Sequence, residues 1–157
     1  MSLSWQEFIF RNVLTTPVEF FVGALDADAT IGSFPAVSMA DGVTTNVYTY
    51  ILIPSNFQTF VKVEALVVAG GTGDMRRSVD TTWGKVGTEI YSAASDSVAA
   101  GEIAVTTDLI NAIDIGAAFT GVAAGDLVGI KFTRVGGHAN DTVGAVCYFI
   151  GVRLQYV

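Results

Sequence analysis

The stretch that most constrains the fold of this chain is residues 122–157, where two alternating apolar runs flank a polar, glycine-rich loop. In the first run Val128, Ile130 and Phe132 alternate with polar or small residues, and in the second apolar side chains occupy every second position from Val146 to Tyr156. A period of two is the spacing of a β-strand with one buried face. The stretch therefore predicts two strands that form a hairpin or face each other.

The composition of the whole chain favours an all-β fold. Hydrophobic residues make up 51% of the 157 residues and charged residues only 15%, and 17 glycines help to break the apolar runs. Short apolar runs interrupted by Gly, Ser, Thr, Asn or Asp are typical of strands joined by turns. A chain of this length can also hold one core without metals or disulfides. The sequence predicts a single jelly-roll-like antiparallel β-sandwich of about eight strands with at most one short helix.

Alternating apolar residues predict further strands upstream. Pro54 should end one of them, since proline lacks an amide donor. By contrast, residues 93–101 are mostly Ala, Ser, Asp and Gly and are predicted to be a surface loop. Thr107-Asp108 is suited to cap a helix, so a helix of one or two turns is predicted over residues 109–113. The upstream strands are predicted in residues 18–25, 46–53, 57–69 and 103–106, and in residues 76–92 as one broken strand or two short ones.

One run, VEALVVA at residues 63–69, carries apolar side chains on both faces, and Glu64 is its single charged residue. Continuous apolar character in a strand indicates burial on both faces or at a subunit contact. Together with the low charge content, this run predicts a symmetric homotrimer. The predicted core consists of Leu66, Val68, Ile130, Phe132, Ile150, Val152 and Leu154.

Charge and hydropathy exclude several classes of partner. The formal net charge is -7, and the chain carries only eight Lys and Arg residues. Such a field is unsuited to nucleic acid. Residues 1–13 lack the basic and continuous apolar parts of a signal peptide, and no run approaches the roughly 18 apolar residues of a membrane span. We expect no nucleic-acid partner, no membrane insertion and no processing of a leader.

The sequence offers no catalytic or metal-binding constellation. The run VVAGGTGD at 67–74 follows a strand, but β-forming residues come after it where a phosphate loop would open a helix. His138 is the single histidine and lies in a predicted polar turn. Cys147, the single cysteine, lies within a predicted strand, where it would be a small buried hydrophobe. Zinc would need several such ligands, and no acidic stretch has the ligand density of a calcium loop. We expect no catalytic residues, no metal and no cofactor.

Aromatic side chains are the remaining candidates for a binding site. Exposed Trp and Tyr rings stack on the apolar faces of pyranose sugars, whereas most aromatic residues in strands belong to a core or an interface. The candidates for glycan contact are Trp83, Tyr48 and Tyr91, with Trp5 and Tyr50 as further members of the set.

With the strands placed, the pattern resembles the jelly-roll domain of bacteriophage and other viral structural proteins, of the head-decoration, tail-fibre or receptor-binding type. The resemblance rests on YTYILIP (48–54), VKVEALVVA (61–69), SVDTTWGKV (78–86), AAGDLVGIKFTR (123–134) and GVRLQY (151–156). It spans about residues 30–157, without the shaft of an appendage protein or the basic arm of an RNA-packaging capsid subunit.

The resemblance implies a non-enzymatic structural protein at the surface of a virion. Such a subunit would decorate or reinforce a capsid, or form a short tail or fibre knob, and would contact a major capsid or tail protein. The alternative is a module that binds a receptor or carbohydrate, in which case a host surface glycan is a further partner. An enzyme is the third hypothesis, and no site in the sequence supports it.

Residues 1–15, here called the leading segment, are predicted to be a docking arm attached to a sandwich of residues 16–157. Ser4 and Glu7 suit a helix cap, yet the residues that follow alternate as in a strand, and both readings stay open. The segment is rich in large apolar side chains, which need a covering surface. Because the core is predicted to be complete from about residue 18, we expect a sister subunit or another virion protein to supply that surface. The interface candidates are Leu3, Trp5, Phe8, Ile9 and Phe10.

Overall fold

The computed structural model describes residues 16–157, and this part of the chain is all-β apart from one 3₁₀ turn at Gly116–Phe119. All pairings between its strands are antiparallel. The predicted β-sandwich is therefore confirmed. The strands are β1 (Val18–Gly23), β2 (Ala29–Ile31), β3 (Phe34–Met39), β4 (Thr44–Leu52), β5 (Phe60–Ala69), β6 (Gly73–Lys85), β7 (Ala94–Val105), β8 (Ile110–Asp114), β9 (Asp126–Val135) and β10 (Cys147–Tyr156).

The strands form two sheets whose order is that of a jelly roll. One sheet has the order β2-β3-β10-β5-β8, with β1 also paired to β10, and the other has the order β4-β9-β6-β7. The chain thus alternates between sheets so that β3 and β4, β5 and β6, and β9 and β10 lie in different layers. Eight strands, β3 to β10, make the jelly roll, and β1 and β2 extend its first sheet.

The two strands of residues 122–157 face each other across the core and do not form a hairpin. β9 lies in the four-stranded sheet and β10 in the six-stranded sheet. The rings of Phe132 on β9 and Phe149 on β10 meet with centroids 5.3 Å apart. Of the two arrangements open from the sequence, the facing pair is the one observed.

A β-bulge changes which residues of β10 face the core. The pairing with β5 shifts between Phe149 and Gly151, so that Ile150 is the extra residue. Phe149 and Val152 both belong to the core cluster, whereas Ile150 is buried but points to the outer face, where it lines a groove with Leu66. The continuous period of two predicted from Val146 to Tyr156 is therefore wrong at this point. Leu66 is half-buried on the outer face and not part of the core cluster, unlike the prediction.

Two local predictions are corrected by sheet pairing. Residues 93–101 are not a surface loop, because Ala94–Val105 pairs along the edge of β6 and thereby satisfies its backbone hydrogen bonds. The helix predicted over residues 109–113 is the strand β8, which pairs with β5 and buries Ile113. Asp108 has a φ of 61° and forms a turn into β8 instead of capping a helix. Tertiary pairing overrides the local helix signal at this site.

Candidate functional site

Two tyrosines stand side by side on the outer face of the four-stranded sheet. Tyr48 and Tyr50 lie two residues apart on β4, which places their rings on one face and roughly 7 Å apart along the strand. Their neighbours Val47 and Ile51 face the core, so the alternation directs both rings outward, where they are 55% and 57% exposed. The β1–β2 connection borders this edge strand, since the amide of Leu25 donates to the carbonyl oxygen of Tyr48 at 3.3 Å.

The adjacent strands place a lysine, an aspartate, a threonine and a glycine beside the two rings. On β9, Lys131 lies opposite the first tyrosine and Gly129 opposite the second. On β6, Asp80 lies opposite Lys131 and Thr82 opposite Gly129. Gly129 has no side chain and forms a low floor between the rings and Thr82. These residues line a depression of about 380 Å³, here called the tyrosine groove.

The charges of the tyrosine groove are paired with each other. Lys131 Nζ lies 2.7 Å from Asp80 Oδ2. The hydrogen bond that Lys131 donates to Asp80, together with the negative charge of Asp80, raises the pKa of Lys131, so the ammonium stays protonated at neutral pH. The two side chains remain 38% and 49% exposed, which leaves donors and acceptors free to face a ligand. The groove therefore combines apolar ring faces, polar groups and no net charge.

The aromatic candidates from the sequence have three different locations. Tyr48 and Tyr50 lie together in the tyrosine groove. Trp83 is only 6% exposed and belongs to the core, because on β6 it points inward; as a glycan contact it is therefore wrong. Tyr91 is 85% exposed on the β6–β7 loop, outside the lining of the groove. Trp5 lies outside the described residues.

The β6–β7 loop packs on β6 next to the tyrosine groove. A Cβ added to Gly84 would lie 2.0 Å from the carbonyl oxygen of Ile90, so this loop packs directly on the strand and only glycine fits beneath it. Gly84 is two residues beyond Thr82 on the same face of β6. The loop, which carries Tyr91, therefore stands beside the floor of the groove.

The interface candidates of the leading segment, Leu3, Trp5, Phe8, Ile9 and Phe10, all lie outside the described residues. Their assignment to a docking arm stays a prediction.

The glycine run at 67–74 has a packing role. A Cβ added to Gly70, Gly71 or Gly73 would lie 2.5 to 2.8 Å from a backbone carbonyl oxygen of residues 142–146. Only glycine permits this approach of two chain segments. The run also connects a strand of one sheet to a strand of the other and precedes no helix. Its geometry explains the glycines without a bound phosphate.

The described residues do not assemble catalytic or metal-binding groups around the histidine or the cysteine. His138 is exposed in a turn, where its Nδ1 accepts a hydrogen bond from the amide of Asn140 at 3.1 Å. Cys147 is fully buried, and burial raises the pKa of its thiol. Within residues 16–157 no group of three or more His, Cys, Asp or Glu side chains could hold a metal ion. No helix in this range has the length and hydropathy to cross a membrane.

A buried ion pair that the sequence did not reveal holds the β9–β10 connection. Arg134 is fully buried, and its guanidinium donates to Asp141 Oδ1 at 2.8 Å and to Oδ2 at 3.1 Å. It also donates to the carbonyl oxygens of Met39 at 2.8 Å and Ala145 at 2.7 Å. The one sequence signal was a charged residue in the core-facing phase of β9, two positions after Phe132.

Opposing effects set the pKa values of this pair. Burial alone would raise the pKa of Asp141, but hydrogen bonds from Arg134 and from the amide of Arg76, together with the guanidinium charge, hold it below its usual value. Burial would likewise lower the pKa of Arg134. The hydrogen bonds that Arg134 donates to Asp141 and the negative charges of Asp141 and Asp41 raise the pKa above its usual value. Both groups are therefore charged at neutral pH.

Comparison with known proteins adds little to this geometry. No family model matches the chain, and no curated protein sequence is similar to it. Among solved structures, the chain is similar to one described as TmCBM61 in complex with beta-1,4-galactotriose, with 12% sequence identity, a TM-score of 0.35 and coverage of 88% of this chain and 87% of that one. A structural similarity this low does not support a conclusion about function. The chain's own fold and site define its class: a jelly-roll β-sandwich with a tyrosine-lined groove, bordered by a Lys–Asp pair, on one sheet.

Proposed function

We propose that this protein is a non-enzymatic carbohydrate-binding protein that holds a neutral glycan in the tyrosine groove. The observation that carries the proposal is the pair of half-exposed rings, Tyr48 and Tyr50, facing a lysine, an aspartate and a threonine across a glycine floor. A sugar ring presents an apolar face and a rim of hydroxyl groups. The groove offers a surface for each, with tyrosine rings for the face and polar side chains for the hydroxyls.

The paired charges favour a neutral ligand over an anion. Lys131 is held by Asp80 at 2.7 Å, so an acidic sugar would have to compete with a carboxylate already in place. The chain as a whole carries a net charge of -7, which repels anions at longer range. A neutral sugar hydroxyl can accept from the ammonium and donate to the carboxylate without separating the pair.

The test is a panel of immobilised neutral oligosaccharides, with sialylated and uronic-acid glycans as the charged comparison, followed by calorimetry on the best neutral ligand. We expect Tyr48→Ala and Tyr50→Ala each to weaken binding at least about tenfold, the size of effect expected for an aromatic anchor in an interface. Phe34→Ala is the matched control, because Phe34 is 52% exposed but lies on the other sheet.

A second variant separates loss of contact from loss of fold. A Cβ on Gly129 would lie 3.6 Å from Thr82 Oγ1, an ordinary contact, so Gly129→Val should fold normally while raising the floor of the groove. We expect it to abolish glycan binding with an unchanged circular dichroism spectrum. Retained binding in Gly129→Val and in both tyrosine variants, or binding restricted to acidic glycans, would contradict the proposal.

We propose a location at the surface of a virion as the setting for this activity, on the basis of the resemblance stated above. Jelly rolls serve both as capsid subunits and as lectins, so the fold alone does not separate a decorating subunit from a receptor-binding one. The homotrimer and the contact with a capsid or tail protein stay predictions. Immunogold labelling of purified particles would test the location, and absence of label from intact particles would contradict it.

A further inference from the structure

A second groove lies on the outer face of the six-stranded sheet. It is larger than the tyrosine groove, at about 570 Å³, and its walls are mainly apolar. Phe21, Phe34 and Ile110 line it and are 50%, 52% and 53% exposed, while Leu66 and Ile150 form its more buried part. Exposed apolar side chains that line a depression offer a surface on which another apolar segment can pack.

The bulge of β10 shapes this outer groove. A Cβ on Gly151 would lie 2.6 Å from the ring of Phe21, so the ring packs on the strand backbone where the bulge turns Ile150 outward. At one side Arg153 Nε donates to Glu64 at 2.9 Å, and its guanidinium also lies 3.8 Å from Glu19. The charges at this side are thus already paired, and the open surface is apolar.

The chain itself supplies a segment of matching chemistry next to the groove. The leading segment contains Leu3, Trp5, Phe8, Ile9 and Phe10, and one acidic residue balances one basic residue. It precedes β1 directly, and β1 is a wall of the groove through Phe20 and Phe21. Residues 1–15 can span up to roughly 50 Å when extended, which exceeds the roughly 33 Å of a ten-residue strand.

We infer that the leading segment binds in the outer groove of its own chain, with its large apolar side chains against Phe21, Phe34 and Ile110. Attachment within a few residues of the groove gives a tethered segment an effective concentration in the millimolar range. A second copy at micromolar concentration competes poorly with such a segment. This occupant differs from the sister subunit or virion partner that the sequence led us to expect for the segment, and the inference does not depend on glycan binding.

Trp5 provides the measurement, because Trp83 is the only other tryptophan and is buried in the core. The fluorescence of Trp5 is obtained as the difference between the wild-type protein and Trp5→Phe. We expect a blue-shifted emission that acrylamide quenches poorly. Ile110→Lys should shift this emission to the red and increase quenching several-fold. Leu109→Lys is the matched control, since Leu109 is 57% exposed but does not line the groove, and it should leave both signals unchanged.

Phe34→Lys repeats the test from the other side of the groove, and sedimentation equilibrium of the same proteins identifies the occupant. A protected Trp5 in a species whose mass Ile110→Lys does not change supports binding within one chain. An oligomer that Ile110→Lys dissociates would overturn the inference in favour of a second copy. Equal exposure of Trp5 in all variants, or protection that survives both Ile110→Lys and Phe34→Lys, would also overturn it.

Discussion

Asp141→Asn should destabilise the protein by about 3–5 kcal/mol, the usual cost of removing one partner from a buried ion pair. Arg134 and the side chain of Asp141 are both completely shielded from solvent. The substitution leaves the guanidinium charge buried with only carbonyl oxygens and the more distant Asp41 nearby. Urea denaturation followed by circular dichroism measures the change in free energy of unfolding.

Asp41→Asn is the matched control for this prediction. Asp41 also contacts Arg134, but at 3.5 Å and with its side chain 46% exposed, so the loss should be about 1 kcal/mol or less. Equal losses in the two variants would show that the buried pair does not hold the β9–β10 connection.

The same pair predicts a dependence on pH. Because the pKa of Asp141 is lower in the folded protein, its contribution is present above the unfolded pKa of about 3.9 and is lost as the pH falls through the folded value. The asparagine variant lacks this titration. The difference in free energy of unfolding between wild type and Asp141→Asn should therefore shrink below about pH 4. A constant difference down to acid pH would contradict the lowered pKa.

Phe132→Ala should cost about 3–5 kcal/mol, the range for removing a large aromatic side chain from a packed core. Phe132 is fully buried on β9, and its ring meets that of Phe149 from the opposite sheet at 5.3 Å. The truncation opens a cavity between the two sheets. Thermal and urea denaturation both measure the resulting loss of stability. A variant that melts within a degree or two of wild type would contradict this packing.

Tyr48→Ala provides the comparison, because Tyr48 lies on the adjacent strand but faces solvent. Its removal should change the free energy of unfolding by about 1 kcal/mol or less in the absence of ligand. The contrast between the two variants tests the inward and outward alternation on which the tyrosine groove depends.

The alternation of apolar and polar residues was sufficient to predict the all-β class, the sandwich and several strands. β4 and β9 lie close to the predicted positions because their inward residues, such as Val47 and Phe132, recur at period two without interruption. A pattern of this kind is local, and burial of one face is enough to produce it. Residues 93–101 do not show this alternation. Their small and polar side chains nevertheless lie in a strand, because that segment pairs with β6.

Only the tertiary structure decided which residues meet. Asp80, Lys131 and Tyr48 come from three strands far apart in sequence, and their register alone brings them into one groove. The bulge at Ile150 likewise depends on pairing with β5, and it moved Ile150 from the predicted core to the outer groove. Sequence period determines that a strand has two faces. The pairing partners and the register of that strand decide which residues lie next to each face. Partners and register depend on hydrogen bonds and packing between segments that are distant in the sequence.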